Sequence, residues 1–222
     1  MNNASTALIV VDMQNYYLRR ESSYYRYFNT LQPGCLDYIF RRCETVVIPN
    51  IRRLAETFRE ASMPVVYLRL CGTDPDRKDL HHFFRETYIK GKRAGFDNVY
   101  PLGSDPFADV IDELRPLPAD IVIDKTTFSP FTGTRIDAML REKGITTLAF
   151  AGLSTSQCVE TTARDASDRD YRIIHIEDAQ ADYDEMSHTS SLYSSQGVCG
   201  GYITNTGDYI EAGMPSLRGE GA

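Results

Sequence analysis

Thr147-Leu148-Ala149-Phe150-Ala151-Gly152-Leu153-Ser154-Thr155-Ser156-Gln157-Cys158-Val159 contains two elements in succession. Residues 147–151 read as a short apolar strand, and residues 159–170 as the helix that follows it. Cys158 therefore stands where a strand gives way to a helix. Backbone N–H groups and the positive helix end favour a thiolate there and can stabilise an oxyanion. The polar turn from Ser154 to Gln157 supplies capping groups. The bland reading of the same cysteine is a small buried hydrophobe.

The same alternation extends outward in both directions. Residues 7–11 form an apolar strand-like run ending in Asp12. Val47, Ile51, Leu54, Ala55 and Phe58 recur at helical spacing, with Pro49 suited to the first turn. Residues 65–68 read as a second strand, 107–114 as helical, and 120–124 as a buried strand ending just before Lys125. Ile136, Met139 and Leu140 mark another amphipathic helix, closed by Lys143-Gly144. Residues 172–176 predict a strand, 185–195 a helix and 201–204 a last short strand. Strands alternating with helices predict an α/β domain with a mostly parallel sheet, doubly wound and flanked by helices. Ligands of such sheets bind beyond the carboxyl ends of the strands. Asp12, Lys125 and the segment before Cys158 all fall at such ends.

One domain over residues 1–222 is the simplest organisation, since no Pro/Gly/Ser-rich stretch or charge block divides the chain. Residues 16–43 and 72–101 break the rhythm and read as long inserted loops. The first is crowded with tyrosines and arginines, and the second brings Lys90, Lys92 and Arg93 together. Connections of that length serve as lids, binding loops, solvated excursions or subunit contacts.

Composition excludes several classes. The 24 basic residues against 31 acidic ones leave a formal charge of -7, which argues against a general nucleic-acid binder. No apolar run approaches the roughly 20 residues that span a bilayer, so no membrane partner is expected. Residues 1–11 lack the basic and long apolar segments of a secretory signal. Cys35, Cys43, Cys71, Cys158 and Cys199 are odd in number and contain no CxxC pair, which disfavours a disulfide scaffold or a structural zinc site. A reduced cytoplasmic protein is the expectation.

Two further residues acquire a chemical reading from their places. Asp12, followed by Met13-Gln14-Asn15, could take the proton of a nearby thiol, or could cap a turn. Lys125, between Ile121-Val122-Ile123-Asp124 and Thr126-Thr127-Phe128-Ser129, could stabilise a thiolate and hold Asp12 ionised, or could be a strand-end surface lysine.

Three motifs in order resemble the isochorismatase-like cysteine hydrolases, which include nicotinamidases, N-carbamoylsarcosine amidases, ureidoacrylate amidohydrolases and biuret hydrolases. They are Ala7-Leu8-Ile9-Val10-Val11-Asp12-Met13-Gln14-Asn15; Asp124-Lys125 with Phe128-Ser129-Pro130-Phe131; and Gly152 to Val159 followed by Thr162-Ala163-Arg164-Asp165-Ala166. The likeness runs from about Ala7 to Thr204. It implies a Rossmann-like three-layer fold, a catalytic triad of Asp12, Lys125 and Cys158, and a cis peptide between Leu153 and Ser154. It also implies an oxyanion hole built from the amides of Ser154 and Cys158, and a homo-oligomer. Gln196 resembles a substrate-side glutamine of the biuret hydrolase-like members, and equally fits a structural loop glutamine.

Within that likeness, members that cleave a vinyl ether do not need the cysteine, whereas here it is retained. The resemblance therefore implies hydrolysis of a C–N bond in a small carbamoyl, ureido or carboxamide substrate through a thioester. A vinyl-ether hydrolase and a catalytically silent interaction protein are the alternatives. Nicotinamidases carry an Asp-x-His metal motif after the second strand, but this chain has Arg69-Leu70-Cys71-Gly72-Thr73-Asp74-Pro75-Asp76. Asp79, His81 and His82 could imitate ligands, but adjacent histidines on a polar loop are more commonly exposed; no metal and no cofactor are expected. Arg69, Lys90, Lys92, Arg93 and Arg135 are candidates to meet a substrate carboxylate, with Phe128 and tyrosines such as Tyr17 to pack a planar amide.

Overall fold

The computed structural model describes residues 6–199 and 201–214, so the expected domain of residues 1–222 extends beyond them at both ends. Six parallel strands form one sheet: β1 (Thr6–Val11), β2 (Val65–Leu70), β3 (Ile121–Lys125), β4 (Thr147–Leu153), β5 (Arg172–Ala181) and β6 (Tyr202–Thr204). Their order is β3-β2-β1-β4-β5-β6, which is the doubly wound arrangement. The order reverses between β1 and β4, and these two strands are buried along their whole lengths. Both faces being covered explains why each reads as a continuous apolar run.

Nine α-helices complete the described chain: α1 (Asn15–Leu18), α2 (Ser23–Leu31), α3 (Asp37–Arg42), α4 (Ile48–Glu60), α5 (His82–Arg93), α6 (Ile136–Glu142), α7 (Glu160–Ser167), α8 (Glu185–Cys199) and α9 (Thr206–Glu211). Pro49 lies in the first turn of α4, where its missing N–H costs nothing. Ile51, Leu54, Ala55 and Phe58 form the buried stripe of that helix. No described helix is long and apolar enough to cross a membrane.

Several expectations need correction. Residues 107–114 form no helix: two short 3₁₀ turns, at Pro106–Ala108 and Asp112–Leu114, flank an extended Val110-Ile111. That backbone is engaged by the chain after β1, through the Gln14–Val110 bridge and the Ile111 N–H to Met13 carbonyl bond of 3.0 Å. The strand ending at Lys125 is not buried throughout, because β3 lies at the sheet edge and leaves Val122 45% exposed.

The stretch 16–43 is not an extended loop but carries α1, α2 and α3. Ser22 caps α2 by accepting the Tyr25 N–H at 3.0 Å, and Tyr24 and Tyr27, three residues apart, form its buried face. Residues 72–101 likewise contain α5, anchored by buried Phe84 and Tyr88. In α1 and α2 tyrosine as the core residue hides the helical pattern from a hydropathy reading, and in α5 the buried Phe84 and Tyr88 stand among polar and charged residues.

Candidate active site

Val11 of β1 pairs with Gly152 of β4 at the point where the strand order reverses. Gly152 has φ +104°, and a Cβ there would lie 2.2 Å from the Val11 carbonyl oxygen and 2.6 Å from the Val11 nitrogen. Only glycine allows the two strand ends to close in this way. The chain then turns sharply on both sides: Asp12 adopts φ 51°, and the Leu153–Ser154 peptide is cis, as the family likeness implied. Gln14 secures the first turn from inside. Its buried amide accepts the Leu70 N–H at 2.7 Å and donates to the carbonyls of Leu70 and Ala108 at 3.2 and 2.7 Å.

After β4 the chain enters one π-helical turn, Thr155–Val159, which leads into α7. This turn presents Cys158. The Asp182 carboxylate, at the end of β5, accepts the Ser156 N–H and holds the turn from below. Thr155 Oγ1 meets His188 Nδ1 of α8 at 2.8 Å, and His188 Nε2 lies 3.0 Å from the Arg42 guanidinium. A guanidinium can only donate, so Nε2 accepts and Nδ1 carries the proton. Neither Asp182 nor His188 was singled out from sequence. A buried carboxylate closing a strand is the signal that could have found Asp182.

Lys125 reaches this centre from β3, two strands away from β1. Two strand spacings amount to about 10 Å, which only a long side chain can bridge. Its ammonium donates to Asp12 Oδ2 at 2.9 Å, to Cys158 Sγ at 3.3 Å and to the Thr127 carbonyl at 3.2 Å. The segment after Lys125 is fastened to α7 by the Ser129 hydroxyl on Asp165 at 2.7 Å, and Thr162 Oγ1 donates to the Cys158 carbonyl at 2.5 Å. Thus the three motifs recognised along the chain meet in one place.

The centre is closed to bulk water, with Asp12, Lys125 and Cys158 only 3%, 1% and 5% exposed. Burial raises the Asp12 pKa, against the opposing pull of the Lys125 ammonium. Burial alone would lower that of Lys125, but the negative charges of Asp12 and Cys158 outweigh it and hold the ammonium charged. The Cys158 thiol is pushed well up, first by burial and then by Asp12, with Lys125 compensating in part. The helix end was expected to favour a thiolate, and burial acts in the opposite direction. Asp12 Oδ1 makes no hydrogen bond, although the thiol is near enough to favour the ionised carboxylate.

Other sequence candidates fall into two groups. Tyr17 joins an aromatic cluster next to the centre, with its hydroxyl on that of Tyr183 at 2.6 Å. Phe128 packs against His81, Phe83 and Phe84, three residues beyond Lys125. Tyr16, Tyr100 and Tyr183 belong to the same aromatic cluster as Tyr17. Tyr16 stood in the tyrosine-rich stretch 16–43, whereas Tyr100 and Tyr183 were not singled out from sequence.

Arg69, in contrast, binds Asp124 through two bonds of 2.7 and 2.9 Å and Asp109 at 2.7 Å, which satisfies its guanidinium away from Cys158. Gln196 is exposed on α8 and borders a hollow with Glu177, Tyr193 and Ile203 rather than the triad. Helix α8 turns that side outward. Lys90, Lys92 and Arg93 end α5 at the surface, and Arg135 is exposed at the start of α6. Asp79 accepts the Thr73 N–H and hydroxyl, while His81 caps α5 by accepting the Phe83 N–H. His82 is exposed beside it. Among the described residues no group of three or more His, Cys, Asp or Glu is placed to hold a metal ion.

The isochorismatase domain family matches residues 6–207. The ureidoacrylate amidohydrolase RutB of Acinetobacter baylyi is 33% identical over 217 residues, covering 92% of this chain and 82% of that protein. Among solved structures, N-carbamoylsarcosine amidase from Thermoplasma acidophilum superposes with a TM-score of 0.67 at 30% identity, over 91% of this chain and 96% of its own. A cysteine hydrolase from Pseudomonas syringae pv. phaseolicola superposes with a TM-score of 0.73 at 27% identity, over 95% and 93%. Sequence and layered sheet agree over nearly the whole chain, and the chain belongs to the isochorismatase family of hydrolases.

Proposed function

We propose that the chain is a cysteine-dependent amidohydrolase that cleaves the C–N bond of a small carbamoyl, ureido or carboxamide compound. One observation carries this reading: a single buried ammonium lies 2.9 Å from the Asp12 carboxylate and 3.3 Å from the Cys158 sulfur. A lysine shared between a base and a thiol keeps the base ionised and stabilises the thiolate as it forms. The amidohydrolase relatives favour the same class of bond.

In the proposed cycle Asp12 Oδ1 takes the Cys158 proton as the sulfur attacks the substrate carbonyl carbon. The oxyanion is received by the amides of Ser154, just before the turn that leads into α7, and of Cys158 within it. Asp12 returns the proton to the departing nitrogen, the C–N bond breaks, and ammonia or an amine leaves behind a thioester. Water then gives a proton to Asp12 while attacking the thioester carbon. Cleavage of the C–S bond releases the acid and restores the thiol. Lys125 stays protonated throughout.

Ammonia release from a panel of primary amides, acylureas and ureido acids tests the proposal, with Cys158→Ala and Asp12→Asn as controls. Both variants are expected to lose turnover by at least about a thousandfold. Cys158→Ala should also lose the acyl adduct seen by mass spectrometry of the quenched enzyme. Undiminished ammonia release from Cys158→Ala would overturn the thioester route.

A further inference from the structure

One chain of polar side chains runs from the nucleophile's turn back into the fold and takes no part in the proposed cycle. The π-helical turn that carries Cys158 begins at Thr155, and both Thr155 and His188 are buried. Thr155 Oγ1 meets His188 Nδ1 at 2.8 Å, and across the ring Nε2 accepts an Arg42 N–H at 3.0 Å. Arg42 ends α3, and its guanidinium also donates to the Gln180 and Glu177 carbonyls of β5 at 3.0 and 3.2 Å. The sheet thus holds the guanidinium, and the guanidinium holds the ring in one tautomer, with Nδ1–H aimed at Thr155. Burial, and then the Arg42 charge, lower the His188 pKa to about 4, so the ring is neutral around neutral pH. The Ser191 hydroxyl, farther along α8, sits 3.1 Å from the Thr155 carbonyl and 2.6 Å from the Glu160 carboxylate of α7. Helix α8 therefore grips the first residue of the turn at two points. The Ser154 carbonyl accepts the N–H groups of Gln157 and Val159 at 3.1 and 3.2 Å, so a shift of Thr155 is passed to Ser154 and Cys158 together. Two apolar side chains would fill the place of His188 and the Thr155 hydroxyl at little cost in stability. A bond of fixed direction instead sets where Thr155 stands.

We propose that His188 is a positioning residue for the reaction: anchored by Arg42, it fixes Thr155 and thereby the turn whose Ser154 and Cys158 amides receive the oxyanion. The proposal rests on the amidohydrolase reading above and is independent of which amide is the substrate. Its two ring nitrogens have separable tasks. The bond from Arg42 to Nε2 joins α3 to α8 and serves the fold, whereas the bond from Nδ1 to Thr155 serves the turn.

Two conservative variants split those tasks. The side-chain amide of asparagine reaches the place of Nδ1 and can donate to Thr155, while that of glutamine reaches the place of Nε2 and can accept from Arg42. His188→Asn should lower the thermal midpoint yet keep kcat within about twofold of the wild type, on the panel amide that the wild type hydrolyses fastest. His188→Gln should keep the thermal midpoint but lower kcat about tenfold with KM nearly unchanged. His188→Ala should lose on both counts. Activity that simply follows stability through the three variants would overturn the proposal. Acetaldehyde labelled at its carbonyl carbon gives a second reading that needs no turnover. The Cys158 sulfur adds to that carbon, the C=O π bond opens, and the thiol proton passes to Asp12, which leaves the oxygen in the oxyanion's place. Followed by carbon NMR, adduct affinity should fall about tenfold in His188→Gln and His188→Ala and be retained in His188→Asn, with Cys158→Ala as the blank. An adduct with that dependence, but no ammonia from any amide, would sink the hydrolase reading and uphold the positioning role. Ammonia release with equal adduct affinity in every His188 variant would overturn the positioning role and leave the hydrolase reading standing.

Discussion

Asp124 and Lys125 are adjacent in β3, and each belongs to an ion cluster, but the two clusters live in different media. Asp124 meets Arg69 and, through it, Asp109, with the two carboxylates 40% and 61% exposed. Lys125 meets Asp12 with both side chains almost wholly buried. Strand alternation sends one residue outward and the next inward. Register does the rest, setting Arg69 opposite Asp124 and Leu70 opposite Lys125. The two carboxylates of the outer cluster face water, which screens their attraction to Arg69. In the inner one, burial alters the protonation chemistry of all three members. Similar residue types therefore yield a surface clasp in one place and a reactive centre in the other.

The largest effect that would sharpen this contrast comes from Lys125→Met. It leaves the Asp12 carboxylate buried without its counter-charge, which should cost about 3–5 kcal/mol in urea unfolding at neutral pH and abolish turnover. A cost below about 1 kcal/mol would place the inner pair in the same class as the outer one. Gly152→Ala comes next. Its Cβ would strike the Val11 backbone in a conformation that disfavours side chains, so a loss of about 2–4 kcal/mol is expected by denaturant titration. Because the strain falls one residue from Asp12, turnover should fall with stability.

The pH profile gives a third measure. Asp12 must be ionised to accept the thiol proton, and burial raises its pKa from the ordinary 3.8. As pH falls, kcat/KM should therefore begin to drop at a higher pH than a solvated carboxylate would dictate, by about tenfold per unit below that pKa. An acid limb at or below 3.8 would contradict the buried-base description. The smallest effect is expected from Arg69→Gln in the outer cluster. It should change stability by no more than about 1 kcal/mol and leave turnover intact, as measured by unfolding and ammonia release.

Much of the fold was legible because it rests on short-range patterns. The apolar runs of β1 and β4, the stripe of α4 and the strand-to-helix turn at Cys158 all appear as local spacing. Helices α1 and α2 were not legible, since their buried faces are built largely from tyrosines, and a residue with a polar tip gives a weak hydropathy signal; α3 is only six residues long and buries just Ile39 and Phe40, too short a stripe to show a period. Residues 107–114 misled for the opposite reason. Their pattern permits a helix, but the Met13-Gln14 backbone claims their hydrogen bonds. For the candidate site, type and order of residues pointed to Asp12, Lys125 and Cys158, which the structure brings together, whereas Arg69 pairs with Asp109 and Asp124 and Gln196 lies exposed on α8.

The sequence by itself determined that strands alternate with helices, that Asp12, Lys125 and Cys158 lie at strand ends, and which family their motifs belong to. Those features depend on neighbours along the chain. Only the tertiary structure decided that Lys125 spans two strands to join Asp12 with Cys158, and that all three side chains are buried where they meet. Burial and strand order act between residues more than 100 positions apart, and no local pattern records them. The reactive centre at the strand-to-helix turn is fixed by sequence in its parts and by the sheet in its chemistry.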